Sequence, residues 1–429
     1  MSAPFFFIMI FLALSFWLFP KISFIRHTNL SSRQVQLLLA FKITASVIAA
    51  FYFTNFSTNV DYLDNNEDGR FHYNLLLSDP VLFFTDFKND IHTYGFGGLF
   101  KSENSFWAYL RFNLLHKFIA ILDLFTWGNF YLNTIIFSTI VFFGHIAFYR
   151  LFSEIYKGQQ LTIILVSFCL PSLLLYTSCI HKDGIVFLCL GLVSYTFFRF
   201  LSPQRPVNFK YYVFFILGLL SIFLFRNYVV IAIVPAMFTA LLCKIMVSKR
   251  RFILPITYAF YFLAFFLSSL FHSSLNIPAA VVERKNDFAT LLGGNTNIAM
   301  HDLQPDFRSF VANFPQAVNH SLLRPYLWEF SQLSVLFTAA ELLIYQLLFL
   351  AFIFFRKKIA GPMHHFNIFG LAFFFNMMLI IGYTIPNIGA IVRYRSIFWI
   401  YLIAPLICNI DWYKLNPFQN TKPSNHHIN

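Results

Sequence analysis

LSVLFTAAELLIYQLLFLAFIFF, residues 333–355, runs for 23 positions with one charged side chain, Glu341, near its centre. As a helix rising 1.5 Å per residue it is about 35 Å long, enough to cross a hydrocarbon core of about 30 Å. A helix this apolar on every side needs lipid or protein around all of its circumference. The pattern recurs along the chain. Residues 4–19, 35–55, 130–149, 161–177, 184–200, 211–225, 228–243, 252–271, 366–384 and 396–410 form similar runs, bounded by charge or by Pro, Gly and Asn.

The expected fold class is therefore all-α: a polytopic integral membrane protein of about eleven transmembrane helices, with interfacial helices in its long loops. Residues 1–412 are expected to form one membrane domain, and 413–429 a short tail. Composition agrees. The 429 residues are 58% hydrophobic and 21% aromatic, with 61 Phe, and only 11% are charged, against roughly 25% in soluble domains. Cys169, Cys179, Cys189, Cys243 and Cys408 lie in or beside apolar runs without ligand spacing, and read as small buried hydrophobes.

Charge sets the expected orientation. With alternate loops assigned to one side, one set holds 17 Lys and Arg in 76 residues and the other 13 in 151, so the denser set is expected to be cytoplasmic. Of 18 acidic residues, 15 fall on the opposite side, where only the loops 56–129 and 273–331 are long. The net charge of +13 thus reads as a topology signal and not as a nucleic-acid surface. The first run lacks a basic n-region and a small-residue cleavage site, which makes it a retained span with the N-terminus outside and the C-terminus cytoplasmic. The expected location is a bacterial cytoplasmic membrane.

Any chemistry is then expected at the outer interface. The first loop opens with DYLDNNEDGRFHYNLLLSDP, placing Asp61, Asp64, Glu67 and Asp68 just past the second run, an acidic group that offers a candidate general base, Asp64, Glu67 and Asp68 foremost, or, through Asp64 and Asp68, ligands of a divalent metal. No cofactor is required by the pattern. NSFWAYLRFNLLHKFIAILDL carries apolar residues at helical spacing with Arg111 and Lys117 among its polar positions, and reads as an interfacial helix. In the second loop Gly293 and Gly294 suggest a turn, and Arg324 precedes the ninth run. The remaining outer turns are cationic: Lys182 beside His181, then Arg226, then Arg393 and Arg395. Gathered at the rim, these cations would hold phosphate oxygens while a carboxylate acts on a hydroxyl. Inside the spans, Glu341 and His145 are costly enough to be functional suspects, whereas Lys42 is expected to snorkel.

With an acidic motif after the second run, an outer Lys-Asp turn and a late Arg-rich turn, the chain resembles bacterial polytopic glycosyltransferases of the GT-C superfamily. Three segments carry the resemblance: NNEDGRFHYNLL, in which His72 stands four and Tyr73 five residues after Asp68; LPSLLLYTSCIHKDGIVFLCLGL; and GAIVRYRSIFW. The resemblance implies a polyprenyl-phosphate-linked sugar as donor. It also implies a first-loop acid, here Glu67 or Asp68, that activates the acceptor or binds a metal. The acceptor is expected to be a glycan or a lipid. Other readings are a polysaccharide polymerase or ligase, a transporter or flippase, and a non-catalytic partner in envelope assembly.

Overall fold

A computed structural model describes residues 3–57, 61–87, 106–202, 208–270, 276–290, 296–329, 333–357 and 364–415. The expected turn at Gly293 and Gly294 and most of the tail from residue 413 lie outside these residues. The described residues are all-α with no β-strand. Their main helices are α1 (Ala3–Leu18), α2 (Ser32–Asn55), α3 (Asp61–Ser78), α4 (Phe106–Thr126), α5 (Phe130–Ile155), α6 (Gln160–Phe168), α7 (Pro171–Ser178), α8 (Lys182–Leu201), α9 (Phe209–Phe225), α10 (Asn227–Ile245), α11 (Arg250–Leu267), α12 (Ile277–Thr290), α13 (Phe307–Val318), α14 (Leu333–Phe355), α15 (His365–Thr384), α16 (Ile388–Ser396) and α17 (Ile400–Cys408).

Eight helical segments among the described residues are long and apolar enough to cross a membrane, or ten if each of two bent pairs counts as one span. The first pair corrects the expectation of a straight run. Residues 161–177 are broken between α6 and α7 by 47°. Pro171 opens α7 at its first turn, a position that tolerates the missing N–H but cannot continue the preceding helix. The run 396–410 holds α17, and the helix before it, α16, meets α17 at 63°. The run 211–225 is the apolar helix α9, with 17 residues.

The centre of the bundle is α5, in which 89% of its most apolar stretch is buried; α1 buries 11% and lies at the periphery. Helix α5 packs along α8, and α10 along α15. The α5–α8 contact is close because it is lined with glycine: a Cβ on Gly191 would lie 2.7 Å from the Gly144 carbonyl oxygen. Small residues let two backbones approach and gain dispersion contacts, which drives packing where water does not.

The segment 61–78, expected as an acidic loop, is helix α3, and it packs along α4. Tyr62, Asn65, Asn66, Gly69 and His72 face inward, while Asp64, Glu67 and Asp68 are exposed. Helix α4 forms where expected, but its polar residues turn into the protein. Lys117 is buried and donates to the Asp86 carbonyl at 2.6 Å. Asp123 is buried as well, accepting from Asn133 Nδ2 at 2.6 Å, and Asn133 also donates to Asn66 at 3.0 Å. This three-helix polar network was not legible in sequence, because each member is an ordinary polar residue until its partners arrive.

Candidate functional site

Five helix ends meet around Asp183. The first is the N-terminus of α8, where His181 is the N-cap and places Lys182 and Asp183 in the first turn. Arg226 is both the last cap of α9 and the first of α10, so its side chain is fixed at a corner. It bonds the Asp183 carboxylate and the Tyr228 hydroxyl, and its guanidinium carbon lies 4.1 Å from the centre of the Tyr394 ring. On the other side of Asp183, His181 Nδ1 is 2.9 Å from Oδ2. Asp183, His181 and Arg226 are all buried. Asp183 Oδ2 and Arg226 Nε are nevertheless buried without a hydrogen-bond partner among the described residues.

Helix α16 adds Arg393. Its N-cap, Asn387, accepts from the Ala390 N–H at 3.0 Å, and the α15–α16 corner is held by the second long loop through Ile298 N–H to Pro386 O at 2.8 Å. From there Arg393 Nη1 donates to Asp61 Oδ2 at 2.7 Å. Burial pushes the Asp61 carboxyl up, but Arg393, with His181 and Lys182 adding to it, holds it below its usual range. Burial pulls His181 down to about 4 against the opposing pull of Asp183, so the ring is neutral at physiological pH. Tyr62 closes the group, with its ring centre 5.0 Å from that of His181 and 4.0 Å from that of Phe53.

Next to these pairs lies a cavity of ≈ 100 Å³, lined by Arg111, Lys182, Arg226, Arg284 and Tyr394, with Ile231, Ile277 and Ile380 among its apolar wall. A space of this size has room for a group as large as a phosphate. Arg111, Lys182 and Arg284 have no carboxylate partner among the described residues. Arg111 is lowered to about 10, first by burial and then by the neighbouring Arg226 and Arg284. Cations crowded into a half-buried space favour an anion there.

Of the expected phosphate-binding residues, Lys182, Arg226 and Arg393 come together. Arg395 and Arg324 do not. Residues two apart on a helix point to nearly opposite sides, so Arg395 turns away from Arg393 and donates to the carbonyls of Ser321 and Arg324 at 2.7 and 2.6 Å. It lines a small cavity with Glu341, Ser172 and Tyr345. Arg324 is paired with Glu329. Glu341 is buried and bonded by the Ser172 N–H and hydroxyl and by Tyr345, which binds α14 to α7. His145 packs 4.6 Å from Phe187, with Nδ1 2.6 Å from the Ser167 carbonyl; it belongs to the core. Lys42, expected to snorkel, is instead fully buried midway along α2, donating to Thr177 and Ser178 at 3.1 and 2.9 Å.

Among the expected acids, Asp68 lies 3.6 Å from His116 and none of Asp64, Glu67 and Asp68 pairs with the cations of the cavity. The acid that pairs with a cation of the cavity is Asp183, through Arg226, while Asp61 at the first turn of α3 pairs with Arg393, outside the cavity lining; Asp64 and Asp68 stand about 5 and 10 Å further along the same exposed face as Asp61. No group of three or more His, Cys, Asp or Glu side chains arranged to hold a metal occurs among the described residues. Sequence reasoning named Asp61 within the acidic run without singling it out, and passed over Arg111 and Arg284 as site residues. Asp61 was visible as the first member of the acidic run, whereas Arg284 offered no signal. Comparison with family models, curated proteins and solved structures finds no match to the chain.

Proposed function

We propose that the protein is a membrane glycosyltransferase of the GT-C kind, moving a sugar from a polyprenyl-phosphate donor to a glycan or lipid acceptor at the outer face of a bacterial cytoplasmic membrane. One observation carries this reading: Lys182, which lines the cavity with Arg111, Arg226 and Arg284, stands near enough to both Asp61 and Arg393 to interact with them electrostatically. Cations for a phosphate and a carboxylate for a hydroxyl are thereby neighbours.

In this reading the acceptor hydroxyl attacks the anomeric carbon as the bond from that carbon to the phosphate oxygen breaks. The hydroxyl proton passes to a first-loop carboxylate, and the bonding electrons leave with the lipid phosphate. Asp61 is the acid best placed for the proton, with Asp64 and Asp68 further along the same face of α3. Arg111, Lys182, Arg226 and Arg284 meet the charge growing on the leaving phosphate, where fixed cations out of water act most strongly. Ile231, Ile277 and Ile380 offer an apolar wall to the first isoprene units. Apolar helices on every side deliver such a donor from within the membrane. No metal is needed for this chemistry, since arginine and lysine supply the positive charge.

The test is a donor-cleavage assay. Membranes containing the protein are incubated with polyprenyl-phosphate sugars, and release of polyprenyl phosphate is measured beside Asp61→Asn and Arg393→Gln at equal protein level. Release that depends on both residues supports the reading. Equal release, or equal surface glycans, in wild type and both variants would overturn it.

A further inference from the structure

At the far end of α8 from Asp183, about 26 Å along the helix, lies a larger cleft of ≈ 600 Å³ between the residues preceding α2 and helices α5, α8 and α9. Two buried arginines stand at its polar end. Arg150 of α5 is 7% exposed and Arg199 of α8 is 8% exposed, and the Nε atom of each is buried with no hydrogen-bond partner among the described residues. Their nearest carboxylate, Glu154, is 4.0 Å from Arg150 Nε and 3.8 Å from Arg199 Nη1, beyond hydrogen-bond reach. A donor buried without an acceptor is costly. Arg150 is otherwise held by the Phe24 carbonyl at 3.3 Å and by the Tyr195 ring, 4.7 Å from its guanidinium carbon. Lys210, exposed at the start of α9, lines the same cleft.

From this polar end the lining turns apolar and follows α8 from Arg199 back to Leu188, with Ile140 and Phe143 opposite. That distance is about 16 Å, half of a hydrocarbon core of about 30 Å. The cleft therefore has the depth of a single leaflet, with three cations and one weakly engaged carboxylate at its mouth. A soluble phosphate compound would leave the apolar part empty, and a zwitterionic lipid would bring a second positive charge to the cations.

We infer that this cleft binds one anionic phospholipid of the adjoining leaflet, its phosphate between Arg150, Arg199 and Lys210 and an acyl chain along α5 and α8. The site is separate from the Asp61–Arg393 group, and the inference does not rest on sugar transfer. A lipid held here would touch α5, α8 and α9 at once.

The full chain, purified in detergent and stripped of lipid, is titrated with phosphatidylglycerol, with phosphatidylcholine of the same acyl chains, and with inorganic phosphate, while Tm and lipid retention by native mass spectrometry are followed. Phosphatidylglycerol is expected to raise Tm to saturation with one lipid retained, and neither phosphatidylcholine nor inorganic phosphate to match it. Arg199→Gln should weaken the apparent affinity about tenfold, and Lys210→Gln, at an exposed position that leaves folding intact, should weaken it in the same direction. Equal shifts with both lipids would mean an apolar filler without headgroup selection. A shift with inorganic phosphate alone would mean a soluble anion. An undiminished response in both variants would place the lipid elsewhere. Each of these three results overturns the inference.

Discussion

Arg393 Nη1 and Asp61 Oδ2 meet at 2.7 Å across 332 positions of chain, joining the start of α3 to α16. The pair is open on one side only: the Asp61 side chain is 49% exposed and that of Arg393 11%. A pair with one exposed partner contributes less to stability than a fully buried one. Arg393→Gln is therefore expected to lower the proposed sugar transfer by about 10²–10³-fold with a smaller loss of Tm than Arg226→Met below. Rates and melting curves on the same preparations check this; a large loss of Tm would show the pair to be structural.

Arg395→Gln should behave in the opposite way. Its donors end on the carbonyls of Ser321 and Arg324, so the substitution leaves buried acceptors unpaired, at a cost of about 1–3 kcal/mol each. Thermal denaturation should show the loss, with the KM for donor unchanged in the protein that remains folded. A raised KM would return Arg395 to the phosphate site.

The Asp183–Arg226 pair is buried on both sides. Arg226→Met strands a carboxylate away from water and is expected to cost about 3–5 kcal/mol. Asp183→Asn combined with Arg226→Met removes the stranded charge and should recover much of that loss, though not activity. Melting temperatures of the two single variants and the double variant decide it: additive losses would mean the groups do not interact.

Acid should loosen this end of the bundle. Burial depresses His181 to about 4 and His116 to about 4, against an ordinary value of 6.5, with Asp183 and Asp68 respectively opposing the shift. The unfolded chain then binds more protons than the folded one wherever the pH lies between those values. Stability is fully present above about pH 6.5 and drains as the pH falls towards 4. Tm measured from pH 7.5 to 4.5 should fall, and His181→Gln should flatten part of the fall. A profile unchanged by the substitution would mean that His181 is protonated in the folded state.

Gly191→Ala tests the central packing. The new methyl would lie 2.7 Å from the Gly144 carbonyl oxygen and 3.3 Å from the Ala147 Cβ, so α5 and α8 must separate. A loss of about 1–3 kcal/mol is expected from overpacking, read as a lower Tm and lower yield. Gly158→Ala offers a contrast, since no atom lies within 4 Å of its added Cβ; its cost comes from φ at +79° alone.

Most of the helices were legible along the chain. The apolar runs at 35–55, 130–149, 184–200 and 366–384 each fall within one helix, because length and hydropathy are properties of a local segment and lipid-like surroundings reward them segment by segment. The run at 161–177 was legible in composition but not in shape: its bend at Pro171 depends on what packs beside the break. The acidic stretch from Asp61 was read as a loop because its charges dominate the average. It folds as α3 because Tyr62, Asn65, Asn66 and His72 share one face, and α4 covers that face.

Length, apolarity and the clustering of cations at a few turns were decided by the amino acids in order, since each is local. The partner of every charge was decided by the folded molecule. Arg393 finds Asp61 and Arg395 finds two carbonyls, although they stand two residues apart in one Arg-Tyr-Arg segment. A helix turns them to opposite sides, and Coulomb attraction, steep at short range and weak in water, acts only between groups that tertiary packing has brought together.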